Sequence, residues 1–91
     1  MARVVITIKV MPDSPETDLQ ELTINAKNVI EKHGGEVGKE EIEPVAFGLK
    51  AIKLTFIRDE AKGGADAIEA ELAELEGVTS AEVIDVRRAI G

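Results

Sequence analysis

The feature that most constrains the fold of this chain is the order in which hydrophobic patterns of two different periods follow one another. Apolar and polar side chains alternate from residue 2 to residue 11, with Val4 and every second residue after it to Val10 on one side. This period of two is typical of a strand, and a second clear example runs from Leu49 to Ile57. A weaker segment, from Glu36 to Pro44, ends at a proline, and this predicts an edge strand. The predicted strands are residues 2–11, 36–44, 49–57 and 78–89.

Two other segments repeat apolar side chains every three or four positions, which is the spacing of one helix face. The first follows prolines and polar capping residues and carries its stripe from Leu19 to Ile30 before two glycines. In the second, Ile68, Leu72 and Leu75 form the stripe, and acidic side chains cover most of the remaining surface. The predicted helices are residues 17–33 and 64–77, and residues 58–64 are predicted to form a turn.

The predicted order of elements is strand, helix, strand, strand, helix, strand. Because crossover connections in such units are right-handed, this order gives an antiparallel four-stranded sheet with both helices on one face. The sequence therefore predicts an α+β fold of the ferredoxin-like βαββαβ type, built as a single domain over residues 1–91. The last strand has apolar residues on both sides, so its pattern leaves open whether Val83 or Ile84 faces the core.

The charge of the chain restricts the kind of partner that it can bind. With 11 basic and 18 acidic side chains the net charge is −7, which repels a phosphate backbone. Aromatic residues make up only 2% of the chain, so base stacking lacks its usual side chains, and we expect no direct nucleic-acid binding. There is no cysteine, and no long apolar stretch suggests a signal peptide or a membrane span. We expect a cytoplasmic monomer without membrane contact.

The residue types that usually carry enzyme chemistry are scarce or poorly grouped. His33 is the only histidine and lies in the last turn of the first predicted helix, where an imidazole suits the negative end of the helix dipole. Without cysteine or a second histidine a transition-metal site is not indicated, and the hydroxyl side chains have no base in a recognisable motif. The K-G-G-A-D segment at residues 62–66 lacks phosphate-loop spacing and suits a helix start. The sequence predicts neither an enzyme nor a cofactor site.

The segment E-P-V-A-F-G-L-K places a large aromatic ring in a turn. Phe47 lies between Pro44 and Gly48, outside any regular apolar pattern, whereas Phe56 fits the core side of its strand. A ring at a turn beside Lys50 has the arrangement of an interface anchor. Burial of the ring in the core is the alternative interpretation.

Two adjacent basic residues near the other end of the chain, Arg87 and Arg88, form a second candidate contact. Neighbouring residues of a strand point to opposite sides of a sheet, so the two guanidiniums should not act as one fork. One of them can brace the sheet or pair with Asp85 or a helix carboxylate while the other reaches a partner.

Three segments together resemble the guanine-nucleotide-exchange domain of elongation factor 1-beta, in its archaeal form, over the whole chain. They are V-A-F-G-L-K-A-I-K-L-T-F-I-R-D-E, the acidic helix after it, and V-T-S-A-E-V-I-D-V-R-R near the end. The F-G-L-K run at residues 47–50 is the most specific of these. The resemblance implies that the chain promotes nucleotide release from elongation factor 1-alpha, the GTPase that carries aminoacyl-tRNA to the ribosome, without breaking a bond in GDP.

The resemblance also implies roles for individual residues. The aromatic of the F-G motif, which inserts into the GTPase, corresponds to Phe47, followed by Gly48, and the basic residue that disturbs the magnesium and phosphate site corresponds to Arg88. Eukaryotic relatives carry lysine at the position of Arg88, and a guanidinium is not a compact ammonium, so the neighbouring Arg87 is an alternative. Lys50 is a supporting contact at most. The implied partner is elongation factor 1-alpha, bound without a cofactor in this chain.

A small-molecule sensor of the ACT type is the alternative function, because such domains share the same element order and bind amino acids through a loop after the first strand. The corresponding segment here, M-P-D-S-P-E-T, lacks the glycine expected where a ligand approaches such a loop. A sensor would also leave the two arginines near the end of the chain without an assigned role.

Overall fold

A computed structural model describes residues 3–62 and 64–89, which form one four-stranded sheet and two helices in the predicted order. The predicted first position of the first strand, residue 2, and Gly63 of the K-G-G-A-D segment lie outside the described residues. The elements are β1 (Arg3–Pro12), α1 (Leu19–Lys32), β2 (Glu36–Pro44), β3 (Lys50–Asp59), α2 (Asp66–Ala73) and β4 (Val78–Ala89).

The strands lie in the order β2-β3-β1-β4, and every neighbouring pair is antiparallel. β1 and β3 are the central strands, and β2 lies at an edge, as the sequence predicted. Both helices lie on the same face of the sheet, because their buried residues join those of β1 and β3 in a single core, as right-handed crossovers require. The ferredoxin-like α+β architecture is confirmed.

The hydrophobic core lies between one face of the sheet and the two helices. Every second residue of β1 and β3 points into it, because side chains alternate across a pleated strand. The predicted core sides of both strands and both helix stripes are confirmed. The buried residues are Ile6, Ile8 and Val10 of β1, Ile52, Leu54 and Phe56 of β3, Leu22, Ala26, Val29 and Ile30 of α1, and Ile68 and Leu72 of α2.

Helix α1 has well-formed ends. The carboxylate of Asp18, the residue before the helix, accepts hydrogen bonds from the amides of Gln20 at 3.1 Å and Glu21 at 3.2 Å, which satisfies amides that have no partner inside the helix. At the other end the chain passes through His33 to Gly34, which has a φ of 84°. The predicted glycine stop is therefore confirmed.

The two helices are linked by a carboxylate on α2. Glu71 accepts a hydrogen bond from Lys32 Nζ at 2.6 Å, and its other oxygen lies 3.0 Å from His33 Nε2. The hydrogen bond from Lys32, and after it the one with His33, holds the pKa of the Glu71 carboxyl below its ordinary value. The charged form of Glu71 is thus favoured by folding.

Several predicted bounds differ from the structure, including the starts of both helices, and two of the differences concern residues that pack in the core. Strand β3 continues through Arg58, which was expected in a turn; Arg58 pairs with Val4 of β1 and is only 7% exposed. Helix α2 ends at Ala73 rather than near Gly77, because the next two amides bond to carbonyls three residues earlier and tighten the last turn. Leu75 still packs against the core from this turn.

Neither helix in the described part of the chain is long and apolar enough to cross a membrane. Over residues 3–62 and 64–89, no group of three or more His, Cys, Asp or Glu side chains has the arrangement that holds a metal ion.

Candidate functional site

The connection between β2 and β3 is a tight turn centred on Phe47 and Gly48. The Val45 amide donates to the Leu49 carbonyl over 2.8 Å, and the Leu49 amide donates to the Ala46 carbonyl over 3.2 Å. Phe47 has φ 61° and ψ 32°, and Gly48 has φ 76°, so both central residues are left-handed in φ. This is the pattern of a type I′ turn, whose twist matches that of the strands it joins.

Phe47 is an unusual residue for this position. Glycine, asparagine and aspartate are the residues usually found with left-handed φ in such turns, because other side chains there cost on the order of 1–3 kcal/mol. Phe47 is the only non-glycine residue with positive φ in the described ranges. Burial within the chain does not offset this cost, because Phe47 is 94% exposed. The ring lies outside the core, and its strain and exposure together indicate a role outside the fold.

Gly48 and Lys50 lie at the same end of the sheet as Phe47. A Cβ atom at Gly48 would meet nothing closer than Cβ of Pro15 at 3.9 Å, so the left-handed φ, and not lack of space, favours glycine there. Lys50 is exposed at the first position of β3, where it pairs with Pro44. The structure therefore brings these three candidate residues together.

Strand β4 contains a bulge that changes which of its side chains face the helices. Its register on β1 shifts between Val83 and Asp85, so Ile84 is the extra residue. The Val83 amide donates to the carboxylate of Glu69 on α2 over 2.8 Å. Val83 packs against the core and Ile84 is exposed, which answers the question that the apolar pattern left open.

Because of this bulge, Arg88 lies on the helix side of the sheet and Arg87 on the opposite side. Arg88 pairs with Val4, which packs against the core, and Arg87 pairs with Val5. A strand without the extra residue would reverse this assignment, since a shift of one residue moves every later side chain to the other face. The prediction that the two guanidiniums point apart is confirmed.

Each of the two arginines is paired with a carboxylate of its own. Arg88 Nε donates to Glu60 Oε2 over 2.9 Å, and Arg88 Nη2 donates to Glu60 Oε1 over 2.6 Å, so this ion pair has two parallel hydrogen bonds. Arg87 Nε donates to Asp85 Oδ2 over 3.0 Å. The contact with Asp85 was among the predicted ones, whereas the contact with Glu60 was not. Glu60 follows β3 in a short turn, and no local pattern distinguishes it from the other acidic residues.

Arg58 was also missed as a residue that shapes this end of the molecule. Its guanidinium donates from Nε to the His33 carbonyl at 3.0 Å, from Nη1 to the Gly64 carbonyl at 2.8 Å and from Nη2 to the Lys62 carbonyl at 3.4 Å. These bonds tie the end of α1 to the segment before α2, which carries Glu60. The signal that could have found it is position: Arg58 continues the every-second-residue core side of β3.

The two groups of candidate residues lie at opposite ends of the sheet. Ile52, close to the Phe47 turn, pairs with Val10 of β1, and Arg88 pairs with Val4 of the same strand. The stretch of extended strand from Val4 to Val10 measures about 20 Å, and the longest dimension of the molecule is 42 Å. The structure therefore does not bring Phe47 and Arg88 into one site.

Comparison with known proteins adds independent information about this chain. Residues 5–89 match the family described as the EF-1 guanine nucleotide exchange domain. Several similar proteins carry the name elongation factor 1-beta. That of Methanothermobacter thermautotrophicus is 46% identical over 88 residues, covering 97% of this chain and 98% of the relative. That of Methanococcoides burtonii is 39% identical over 90 residues, covering 99% of this chain and 100% of the relative. That of Staphylothermus marinus is 38% identical over 89 residues, covering 97% of this chain and 98% of the relative.

A solved structure also resembles this chain in fold. It is LarC2, the C-terminal domain of a cyclometallase involved in the synthesis of the NPN cofactor of lactate racemase, in its apo form. The TM-score is 0.52 at 21% sequence identity, and the match covers 98% of this chain but only 55% of that structure, so this chain spans about half of its length. At this level of identity the likeness concerns the fold alone.

Proposed function

This chain belongs to the family of EF-1 guanine nucleotide exchange domains, and from that premise we propose that it promotes the exchange of GDP for GTP on elongation factor 1-alpha. In this role residues 1–91 act as one exchange domain, a cytoplasmic monomer that binds the GTPase directly, without a cofactor, nucleic acid or membrane. No bond of the nucleotide is made or broken in exchange, so the chain acts as a binding partner and not as an enzyme.

The observation that carries this proposal is the exposed ring of Phe47 in a strained turn. Strained backbone of this kind is often found at binding sites, where the conformation serves a contact. The ring is 94% exposed, so nearly all of its apolar surface is accessible to a partner. Burying a phenylalanine side chain in a pocket contributes about 1.5–3 kcal/mol, which changes an affinity roughly tenfold or more. Phe47 is thus the anchor, Gly48 allows its turn, and Lys50 supplies a charge beside it.

At the other end of the sheet, Arg88 supplies the positive charge. In a nucleotide-bound GTPase, Mg²⁺ bridges the phosphate oxygens, and together they hold the switch loops in place. A guanidinium that enters this site disturbs the bound metal and displaces the switch loops, and so weakens GDP binding. Arg88 has this role in the proposal, and Arg87, on the other face of β4, is the alternative.

The two groups contact the GTPase at separate places, because about 20 Å of sheet lies between them. One pocket of ordinary size cannot accept both side chains. The anchor at Phe47 secures the complex, and the arginine acts at the nucleotide. Loss of the anchor should therefore weaken binding, whereas loss of the arginine should slow nucleotide release within the complex.

The experiment that tests this function is an equilibrium titration of the chain against elongation factor 1-alpha in its nucleotide-free and GDP-bound forms. Coupling between two ligands is reciprocal, so a factor that weakens GDP binding must itself bind more weakly when GDP is present. We expect a difference of about 5-fold to 150-fold, the usual range of such coupling. Equal affinity for both forms would contradict the proposal, as would the absence of binding to a partner that binds GDP normally.

A further inference from the structure

We propose that Glu60 is a positioning residue for Arg88: its carboxylate fixes the plane of the guanidinium, so that Arg88 meets the partner in one orientation. This inference rests on the proposed function, in which Arg88 acts at the nucleotide site of the GTPase.

The geometry of the ion pair is the first observation. Glu60 accepts from Nε and Nη2 of Arg88 at 2.9 Å and 2.6 Å, through its two different oxygens. A fork of two parallel hydrogen bonds fixes the rotation of a planar guanidinium, which a single contact does not. The side chain of Arg88 is nevertheless 64% exposed. Nη1 takes no part in this fork, so its donors can serve a contact with a partner.

The support beneath Glu60 is the second observation. Glu60 begins a short turn in which the Asp59 carboxylate accepts from the Ala61 amide at 2.9 Å. The buried guanidinium of Arg58 donates to the Lys62 carbonyl at the end of the same turn and to the Gly64 carbonyl beyond it. Glu60 is thus held on a braced segment at the end of a central strand, and it transmits that rigidity to Arg88.

This pair should matter more for function than for stability. Exposed ion pairs typically contribute little to folding, because solvent screens them and long side chains lose rotamer freedom in forming them. Within the complex that Phe47 has anchored, that same loss of freedom is a cost when an exposed arginine enters the nucleotide site, and it lowers the rate of release. With Glu60 in place, much of this ordering has occurred before the GTPase arrives.

The test measures GDP release from elongation factor 1-alpha at increasing concentrations of the chain, for the wild type, Glu60→Ala and Glu60→Gln. We expect Glu60→Ala to lower the maximal release rate about twofold to fivefold, which is the range that one exposed ion pair allows. Glu60→Gln keeps the shape and one acceptor oxygen, so it should retain an intermediate rate. The concentration that gives half of the maximal rate should not rise, because Phe47 at the far end sets it.

Two controls separate positioning from other effects. Lys27 of α1 and Glu40 of β2 form a comparable exposed ion pair at 2.9 Å. Glu40→Gln removes one negative charge and breaks this pair, and it should leave both the maximal rate and the half-maximal concentration unchanged. In an Arg88→Ala background, Glu60→Ala should have no further effect, since a positioning residue acts only through its partner. All variants should unfold at similar temperatures.

A measurement without the GTPase gives a second readout. The Nε–H group of Arg88 should give a hydrogen-bonded NMR signal that exchanges slowly with solvent in the wild type, and Glu60→Ala should make it exchange faster. Unchanged exchange would overturn the inference.

The kinetic outcomes are equally decisive. A release rate with Glu60→Ala equal to or above that of the wild type would overturn the inference, as would a further loss in the Arg88→Ala background. An unaltered chain that fails to accelerate release would instead contradict the proposed function itself, and this inference with it.

Discussion

Phe47 and Phe56, the two aromatic residues of the chain, lie nine positions apart at opposite extremes of exposure, 94% and 0%. Phe56 points from a central strand into the core, where the period of two places it. Phe47 occupies a left-handed position in the turn that precedes the same strand. Identical side chains therefore occupy opposite environments, and substitutions at the two positions should have opposite effects on stability.

Replacing Phe47 with asparagine should stabilise the fold. Asparagine tolerates left-handed φ better than phenylalanine, so we expect the free energy of unfolding to rise by about 0.5–1 kcal/mol. Phe56→Ala is the contrasting variant, and it should lower the free energy of unfolding by about 3–5 kcal/mol, because it leaves a cavity in the core. Urea denaturation of both variants measures these changes. A Phe47→Asn protein much less stable than the wild type would show that the ring supports the fold.

Glu69 should stabilise the bulge that sets the faces of Arg87 and Arg88. Its carboxylate accepts from the Val83 amide at 2.8 Å, and Glu69→Ala would leave that amide without this acceptor. We expect a loss of about 1–2 kcal/mol in unfolding free energy. Glu69→Gln retains an acceptor oxygen and should lose less. Equal stability of the alanine variant and the wild type would show that the contact does not support the bulge.

Arg58 should contribute strongly to stability although it is charged. Arg58→Met keeps much of the apolar stem but removes the donors that reach the carbonyls of His33, Lys62 and Gly64. We expect a loss of about 2 kcal/mol or more. The matched control is Arg87→Met, an exposed arginine in a strand, which should change stability by less than about 0.5 kcal/mol. Similar losses in the two variants would contradict the structural role assigned to Arg58.

Stability should fall in acid partly because of Glu71. Its pKa is held below the ordinary value, first by the hydrogen bond from Lys32 and then by that from His33. A carboxyl whose pKa is lowered by folding stabilises the protein above its unfolded-state pKa, and this contribution is lost as the pH falls through the folded-state value. The urea midpoint of the wild type should therefore exceed that of Glu71→Gln at neutral pH, and the two should converge in acid.

Glu76 is an exposed acidic residue beyond α2, and Glu76→Gln is the control for the loss of one negative charge. It should not reproduce the convergence. A difference between wild type and Glu71→Gln that stays constant from neutral to acid pH would contradict the assignment.

The order of elements and the core faces could be predicted because they depend on periodicity, which a local sequence carries. The alternation in β1 and β3 and the stripes of α1 and α2 each reappear as buried residues. The turn position of Phe47 could be predicted from the local sequence too, because Pro44 and Gly48 interrupt the periodic pattern on either side of it.

The remaining features depend on contacts that no local pattern contains. The bulge at Ile84 has one sequence signal, apolar residues on both sides of the last strand, and this signal does not locate the extra residue. Glu60 and Arg88 are 28 positions apart, and only the register of β3, β1 and β4 brings them together. The burial of Arg58 depends likewise on a distant partner, the His33 carbonyl, in addition to the carbonyls of Lys62 and Gly64 nearby in the sequence.

We propose that this chain accelerates GDP release through an anchor at Phe47 and a cation at Arg88. The most direct measurement is the release rate of a fluorescent GDP analogue from an archaeal elongation factor 1-alpha, with excess unlabelled nucleotide, as the concentration of the chain is varied. The wild type should accelerate release, and Phe47→Ala should need a roughly tenfold or higher concentration for the same effect, since it loses the buried ring. Arg88→Ala should lower the maximal rate about fivefold or more, and more than Arg87→Ala does. Failure of the wild type to accelerate release from an active partner would contradict the account, and a Phe47→Ala protein as effective as the wild type would contradict the role of the anchor.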